Sequence, residues 1–188
     1  MIKELEKVKD NTLQTWKWTG SMSNFLSEAS THLQNIAKSP SDKGARSQYK
    51  SLRSAFRYAS RSETRGVNRH YTKTKKALEK LKEILPKDLQ TELESIERKF
   101  LRPNEAILIR DTSFYTGKTK DEVKALGVYL DMLKKDKATE KQVTDLIENL
   151  NFKIAEIVGG NSKPGLVPFI AGLKRLQAFI SKLDKLSA

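Results

Sequence analysis

Apolar residues recur at steps of three and four positions along almost the whole chain, which is the spacing of one helix face. A clear example lies between positions 23 and 38. Runs of alternating β-branched residues, which mark strands, are not evident. The nine glycines and five prolines stand mostly between the periodic stretches, where turns are expected. The pattern predicts an all-α protein, a compact helical bundle of about seven or eight helices.

The helix boundaries follow from capping residues and breakers. The predicted helices cover about 2–18, 23–38, 43–85, 88–101, 105–114, 119–135, 139–158 and 167–186. Thr119 and Thr139 each begin a capping-box pattern, and Pro103 is expected to end the fourth helix. No linker-like composition divides the chain, so we expect one domain over 1–188. The alternative is a split into two lobes near 86–103.

In two of these helices the sequence predicts the position of single residues. In the first helix, Leu13 and Trp16 are expected near the apolar face. The long helix over 43–85 has a break in its apolar pattern near Gly66, and a glycine inside a helix costs about 1 kcal/mol relative to alanine. We therefore expect either one helix that bends across Gly66 or two helices that meet near 60–66.

Composition removes several classes of protein. The chain has no cysteine, which excludes disulfides, thiol nucleophiles and Cys-ligated zinc. The N-terminus lacks the continuous apolar segment of a signal peptide, and the most apolar stretch, 165–173, is far shorter than the ~20 residues that span a bilayer. These features predict a soluble, cytoplasmic protein, with secretion by a non-classical route as the alternative.

No pattern typical of an active site is present. The chain has no H-E-x-x-H and no G-x-S-x-G. Gly117-Lys118-Thr119 lacks the first glycine of a phosphate-binding loop, since Thr112 stands in that place. We therefore expect no catalytic residue, no metal and no cofactor. A helical hydrolase whose carboxylates follow no motif is the alternative.

Positive charge is concentrated in one fifth of the chain. Residues 43–82 hold 13 Lys and Arg against two acids, a net of +11, while the other 148 residues hold 23 and 21, a net of +2. We call nine of these cations, spaced by three or four residues, the basic stripe. They are Arg46, Lys50, Arg53, Arg57, Arg61, Arg65, Arg69, Lys73 and Lys76. On a helix this spacing gives one continuous band, which indicates an anionic partner.

Arginine predominates in the basic stripe, and aromatic side chains lie near it. Arginine binds phosphate in a bidentate manner and stacks on bases, and Trp18, Tyr58, His70 and Tyr71 are candidates for stacking or for an interface. We therefore predict a non-catalytic protein that contacts nucleic-acid phosphates with little sequence specificity, DNA and RNA being equally compatible.

Other partners fit the same charge pattern. The first alternative is a protein-interaction module, such as an adaptor, inhibitor or secreted effector, that docks an acidic protein surface. The second is peripheral binding to anionic membrane lipid. The last helix has a wide apolar arc, which predicts either a core helix or a membrane-surface helix. Finally, the basic stripe could pair within the bundle with Glu92, Glu94 and Glu97.

Overall fold

The computed structural model describes residues 2–105, 118–160 and 163–187. Its helices are α1 (Ile2–Lys38), α2 (Gly44–Tyr58), α3 (Thr64–Ile84), α4 (Lys87–Ile96), α5 (Arg102–Glu105), α6 (Lys118–Lys134), α7 (Glu140–Val158) and α8 (Leu166–Ser187). Two π turns, Ala59–Glu63 and Glu97–Leu101, join α2 to α3 and α4 to α5. The described part therefore contains six continuous helices and no strand. The predicted all-α architecture is confirmed, with fewer and longer helices than expected. The helix predicted over 105–114 lies, apart from Glu105, outside the described residues.

The first helix is a single element of 37 residues, so the prediction of separate helices over 2–18 and 23–38 is wrong. Gly20 does not interrupt it, because a helical glycine is unfavourable but tolerated when the flanking turns are held by packing. Those turns are held by a buried face that continues from Val8 through Met22 to Ile36.

Threonines fill the middle of that buried face. Thr12, Thr15 and Thr19 are fully buried. The Thr15 hydroxyl donates to the Asn11 carbonyl at 2.8 Å, and the Thr19 hydroxyl donates to the Thr15 carbonyl at 2.7 Å. Because these bonds satisfy their hydroxyls, Thr15 and Thr19 can stand in an apolar core. The buried Thr12 hydroxyl has no hydrogen-bond partner among the described residues. The expected core residue Leu13 is instead 39 % exposed.

The helix α1 lies at the centre of the bundle and packs against α2, α3, α7 and α8. The apolar arc of α8 is buried against it, with Phe169, Leu173 and Leu176 fully enclosed. That arc is core, as one of the two alternatives for the last helix predicted, so these side chains are not exposed to a membrane surface. Within the described ranges, the model contains no helix whose length and apolar character would let it cross a bilayer.

The long basic helix is continuous from residue 44 to 84, and the π turn Ala59–Glu63 takes the place of the expected break. The Thr64 hydroxyl donates to the Ala59 carbonyl at 2.7 Å and so stabilises the wider turn. Gly66 lies inside α3 and does not end it. Its missing side chain makes room for Trp18 of α1, because a Cβ built on Gly66 would overlap the indole ring.

Pro103 lies inside a helix and does not end one, contrary to the prediction. Proline cannot donate the usual helical hydrogen bond, and the π turn Glu97–Leu101 directly precedes it. The Asn104 side chain donates to the Phe100 carbonyl at 2.6 Å and accepts from the Gly165 backbone at 2.9 Å. These bonds hold the irregular segment against the start of α8.

The capping box predicted at Thr139 is confirmed at the start of α7. The Thr139 side chain accepts from the Gln142 backbone, and the Gln142 side chain accepts from the Thr139 backbone at 2.9 Å. The same helix ends at Val158 before Gly159, which has a φ of 69°. A glycine tolerates this conformation at no steric cost, so it closes the helix as the sequence predicts.

Candidate functional site

A groove runs between α1 and the continuous helix that α2, the first π turn and α3 form. Its volume is about 1030 Å³. We call it the basic groove; it is lined by Trp18, Lys50, Arg53, Ser54, Arg57, Tyr58, Arg61, Ser62, Arg65, Gly66 and Arg69. Six of these residues are cations and none is an acid. The structure thus brings together six of the nine residues of the basic stripe.

The π turn explains why the arginines on both sides of it face one groove. On an unbroken α-helix, at 100° per residue, Arg69 would point about 160° away from Arg53. A π turn takes up one extra residue, which reduces that angle to about 60°. The same extra residue keeps the buried face of the helix aligned. Ala59, Val67 and Tyr71 are all buried although the steps between them are multiples of four.

All six groove cations are exposed to solvent. Lys50, Arg53, Arg57, Arg61 and Arg65 form no ion pair with the described residues, and Arg69 contacts only the His70 ring, at 3.4 Å. Like charges at four-residue steps repel one another on a helix. Because no carboxylate neutralises them in the described part of the chain, this repulsion persists until an anion arrives.

Two of the three acids expected as internal partners pair with cations outside the basic stripe. The Glu92 carboxylate lies 2.9 Å from the Lys182 ammonium. The buried Glu97 lies 3.2 Å from Lys82 and 3.5 Å from Arg102. Glu94 is exposed and forms no ion pair with the described residues. Internal pairing of the basic stripe with these three acids is therefore wrong.

Three residues of the basic stripe lie outside the basic groove. Arg46 is half-buried and lies 3.4 Å from the Asp131 carboxylate and 3.4 Å from the Gly127 carbonyl, both on α6. Lys73 is exposed beyond the end of the groove. Lys76 lines a separate cavity that also contains Glu79, Glu97 and Glu105. Arg46 thus joins two helices and does not line the basic groove, although its side chain remains 40 % exposed.

Two aromatic rings line the basic groove, and each is backed by another ring. Trp18 stacks on His70, with ring centres 6.3 Å apart and planes at 17°. Tyr58 stacks on Phe25, with ring centres 5.1 Å apart and planes at 20°. Tyr58 is still 51 % exposed. The rings are therefore held in position by neighbours while one of them stays largely open to solvent.

Tyr71 is not available for stacking, contrary to its place among the candidates. Its side chain is 1 % exposed and meets the Phe169 ring edge-on at 5.0 Å. The hydroxyl donates to the Glu105 carboxylate at 2.6 Å. Burial, together with this carboxylate, raises the pKa of Tyr71 well above its usual range. The Tyr71 side chain belongs to the core, which agrees with its position in the apolar periodicity of α3.

His70 stands beside Arg69 at one end of the basic groove. Burial lowers the pKa of His70 below its usual 6.5, and the charges of Arg69 and Lys73 lower it further. Its Nδ1 atom is buried and has no hydrogen-bond partner among the described residues. Protonation would therefore place another charge among cations, unless an anion were bound beside it.

A second, smaller groove on the other side of the arginines was not foreseen from the sequence. Its volume is about 390 Å³. Arg53, Arg57 and Arg61 form one wall, and Lys120 and Lys124 of α6 lie opposite. The four-residue spacing of these two lysines was the available signal, but Asp121 and Glu122 between them mask it in the sequence. Three arginines thus form a ridge between two cationic grooves.

No group of three or more His, Asp and Glu side chains in the described ranges is placed to hold a metal ion. Comparison of the chain with protein-family models, with curated protein sequences and with solved structures gave no match. What the protein binds is therefore inferred from the chemistry of the basic groove itself.

Proposed function

We propose that the protein binds nucleic acid through its phosphates, with little sequence specificity, and that the basic groove is the binding site. The observation that carries this proposal is the set of six exposed cations, five of them arginines, along one groove whose lining has no acid. Arginine is the side chain best suited to bidentate phosphate contacts. Phosphate neutralisation relieves the repulsion between these arginines.

The shape of the site favours a linear polyanion. Four helical residues rise about 6 Å, so the arginines present a regular row of charges about 28 Å long from Lys50 to Arg69. A chain of phosphates can follow such a row inside a groove. A planar lipid surface would instead contact the outermost cations and leave the floor of the groove empty.

Fluorescence anisotropy with a labelled 12-base-pair DNA duplex, measured over a salt series, tests the proposal. If six phosphates are neutralised, the slope of log K against log[salt] is expected to be about −5. The triple variant Arg53→Glu/Arg57→Glu/Arg61→Glu is expected to lose at least about 100-fold in affinity at low salt, because three attractive contacts become repulsive.

A matched control is Lys134→Glu/Lys135→Glu/Lys137→Glu. These lysines are exposed and line neither groove. Each reversal lowers the net charge by two, so both triple variants change the net charge from +13 to +7. We expect the control to bind within about fivefold of the wild type, and circular dichroism checks that both variants fold. Equal losses in the two variants, or a slope near zero, would overturn the proposal and direct attention to an acidic protein partner.

A further inference from the structure

The aromatic rings of the basic groove distinguish one form of nucleic acid from another. Trp18 and Tyr58 lie on the same groove as the arginines. In a duplex the base faces are covered by neighbouring bases and only their edges are accessible. An unpaired strand exposes its base faces, and proteins bind them by stacking on aromatic side chains.

The two rings are arranged as stacking surfaces. Trp18 and Phe25, the residue behind Tyr58, are seven positions apart on α1, which separates them by about 10 Å along the helix. Each ring is fixed from behind by another ring, at 6.3 Å for Trp18 and 5.1 Å for Tyr58. A base that stacks on a ring already held in place costs little side-chain entropy. Among the described residues, neither the Trp18 indole N–H nor the Tyr58 hydroxyl has a hydrogen-bond partner.

We propose that the basic groove accommodates single-stranded nucleic acid, with phosphates along the arginine row and bases stacked toward Tyr58 and Trp18. This inference depends on the proposed function and names the form of its ligand. The cation row of about 28 Å corresponds to on the order of eight stacked nucleotides at ~3.4 Å each. The residues that line the groove beyond the cations and aromatics are Ser54, Ser62 and Gly66, which offer little to distinguish one base from another.

Three labelled probes of equal length separate the contribution of base stacking from that of phosphate charge. They are oligo-dT of 12 nucleotides, a 12-unit abasic phosphodiester with the same backbone charge, and a 12-base-pair duplex. We expect oligo-dT to bind at least about fivefold more tightly than the abasic strand, which is the lower end of stacking on one aromatic ring. We also expect it to bind more tightly than the duplex at equal salt.

The variant Tyr58→Leu tests the ring directly, and Phe152→Leu is its matched control. Phe152 is an aromatic residue of α7 that is 59 % exposed and lies outside the basic groove. Tyr58→Leu is expected to reduce the advantage of oligo-dT over the abasic strand roughly fivefold, because one of the two stacking rings is lost, while affinity for the abasic strand and the duplex stays unchanged. Phe152→Leu is expected to change none of the three affinities.

The outcomes separate the two proposals. If oligo-dT, abasic strand and duplex all bind with the same salt dependence and similar affinity, the phosphate-binding function stands and single-strand recognition is wrong. An unchanged preference for oligo-dT in Tyr58→Leu would also overturn the stacking arrangement. If no probe binds in a salt-dependent manner, the proposed function itself fails.

Discussion

The Trp18 indole lies against the backbone of Gly66, so that α1 and α3 approach each other where the floor of the basic groove forms. A Cβ on Gly66 would overlap three ring atoms of Trp18. The close approach also places the indole over His70, with the ring planes at 17°. One missing side chain thereby positions an aromatic ring beside Arg65 and Arg69.

Gly66→Ala is expected to destabilise the protein by about 1–3 kcal/mol, the usual cost of overpacking. Gly20→Ala is the matched change, because nothing lies within 4 Å of a Cβ built at Gly20 in the interior of α1. There alanine is expected to stabilise by up to about 1 kcal/mol. Urea unfolding of both variants measures the two effects, and the same sign at both positions would contradict this assignment.

Arg57→Gln and Arg46→Gln are expected to have opposite effects on the free energy of unfolding. Loss of Arg57 reduces the salt slope of nucleic-acid binding by about 0.9 and the affinity roughly fivefold. The same change raises the unfolding free energy by about 0.4–1 kcal/mol, because the repulsions with Arg53 and with Arg61 both disappear. Loss of Arg46 leaves binding within about twofold and lowers the unfolding free energy by up to about 1 kcal/mol, because Asp131 loses its partner.

Anisotropy over a salt series and urea unfolding together test this pair of variants. Arg46 would have to be returned to the binding surface if its replacement weakened binding as much as replacement of Arg57.

The buried hydroxyls of Thr15 and Thr74 lie 3.1 Å apart and join α1 to α3. Thr15→Val or Thr74→Val alone is expected to destabilise by about 0.5–1.5 kcal/mol, because the bond between the hydroxyls is lost while the remaining hydroxyl still donates to a carbonyl of its own helix. The double variant is expected to cost clearly less than the sum, because matched apolar groups can replace both partners. A double-mutant cycle in urea measures the coupling, and strict additivity would show that the two hydroxyls do not interact.

His70 makes a stability contribution that depends on pH. Its folded-state pKa lies below the unfolded value of 6.5, so the unfolded chain binds the proton more readily. The contribution is fully present above pH 6.5 and is lost as the pH falls through the folded-state pKa. Wild type is therefore expected to lose more stability between pH 8 and pH 5 than His70→Gln. Equal losses, measured by urea unfolding at each pH, would contradict this.

Bound nucleic acid is expected to raise the pKa of His70, which burial and the neighbouring cations lower in the free protein. Phosphates near Arg69 favour the charged imidazole, so binding takes up a proton and the pKa of His70 rises on binding. Affinity at fixed salt is therefore expected to increase from pH 8 to pH 5 in wild type and to increase less in His70→Gln. Anisotropy at the two pH values measures the difference.

The sequence predicted the all-α architecture and located the basic stripe, because apolar and basic residues follow helical spacing over long stretches. It failed where the core is polar. Thr12, Thr15 and Thr19 carry the buried face of α1 across the point where the apolar pattern lapses, and the hydroxyls of Thr15 and Thr19 donate to carbonyls of the helix itself. A rule that looks for apolar residues therefore divides one helix into two.

Contacts between distant parts of the chain account for the other differences. Arg46 carries the same charge and spacing as Arg57, and only the approach of α6 shows that Asp131 engages it. In the same way, Tyr71 differs from Tyr58 only in what packs against it: Phe169 encloses one, while the other is half exposed. Spacing along one helix carries no information about such neighbours.

The π turn at Ala59–Glu63 lies inside the continuous helix from residue 44 to 84. The number of residues in this turn therefore sets the direction of both the buried and the basic face that follow it. Deleting one residue there would rotate the following segment by about 100°, which would turn both Val67 out of the core and Arg65 out of the groove. Substitutions can accumulate along the helix one at a time, but a change in residue number is penalised on two surfaces at once. In related chains, we therefore expect the side chains of this segment to vary more freely than the count of residues between the two halves of the arginine row.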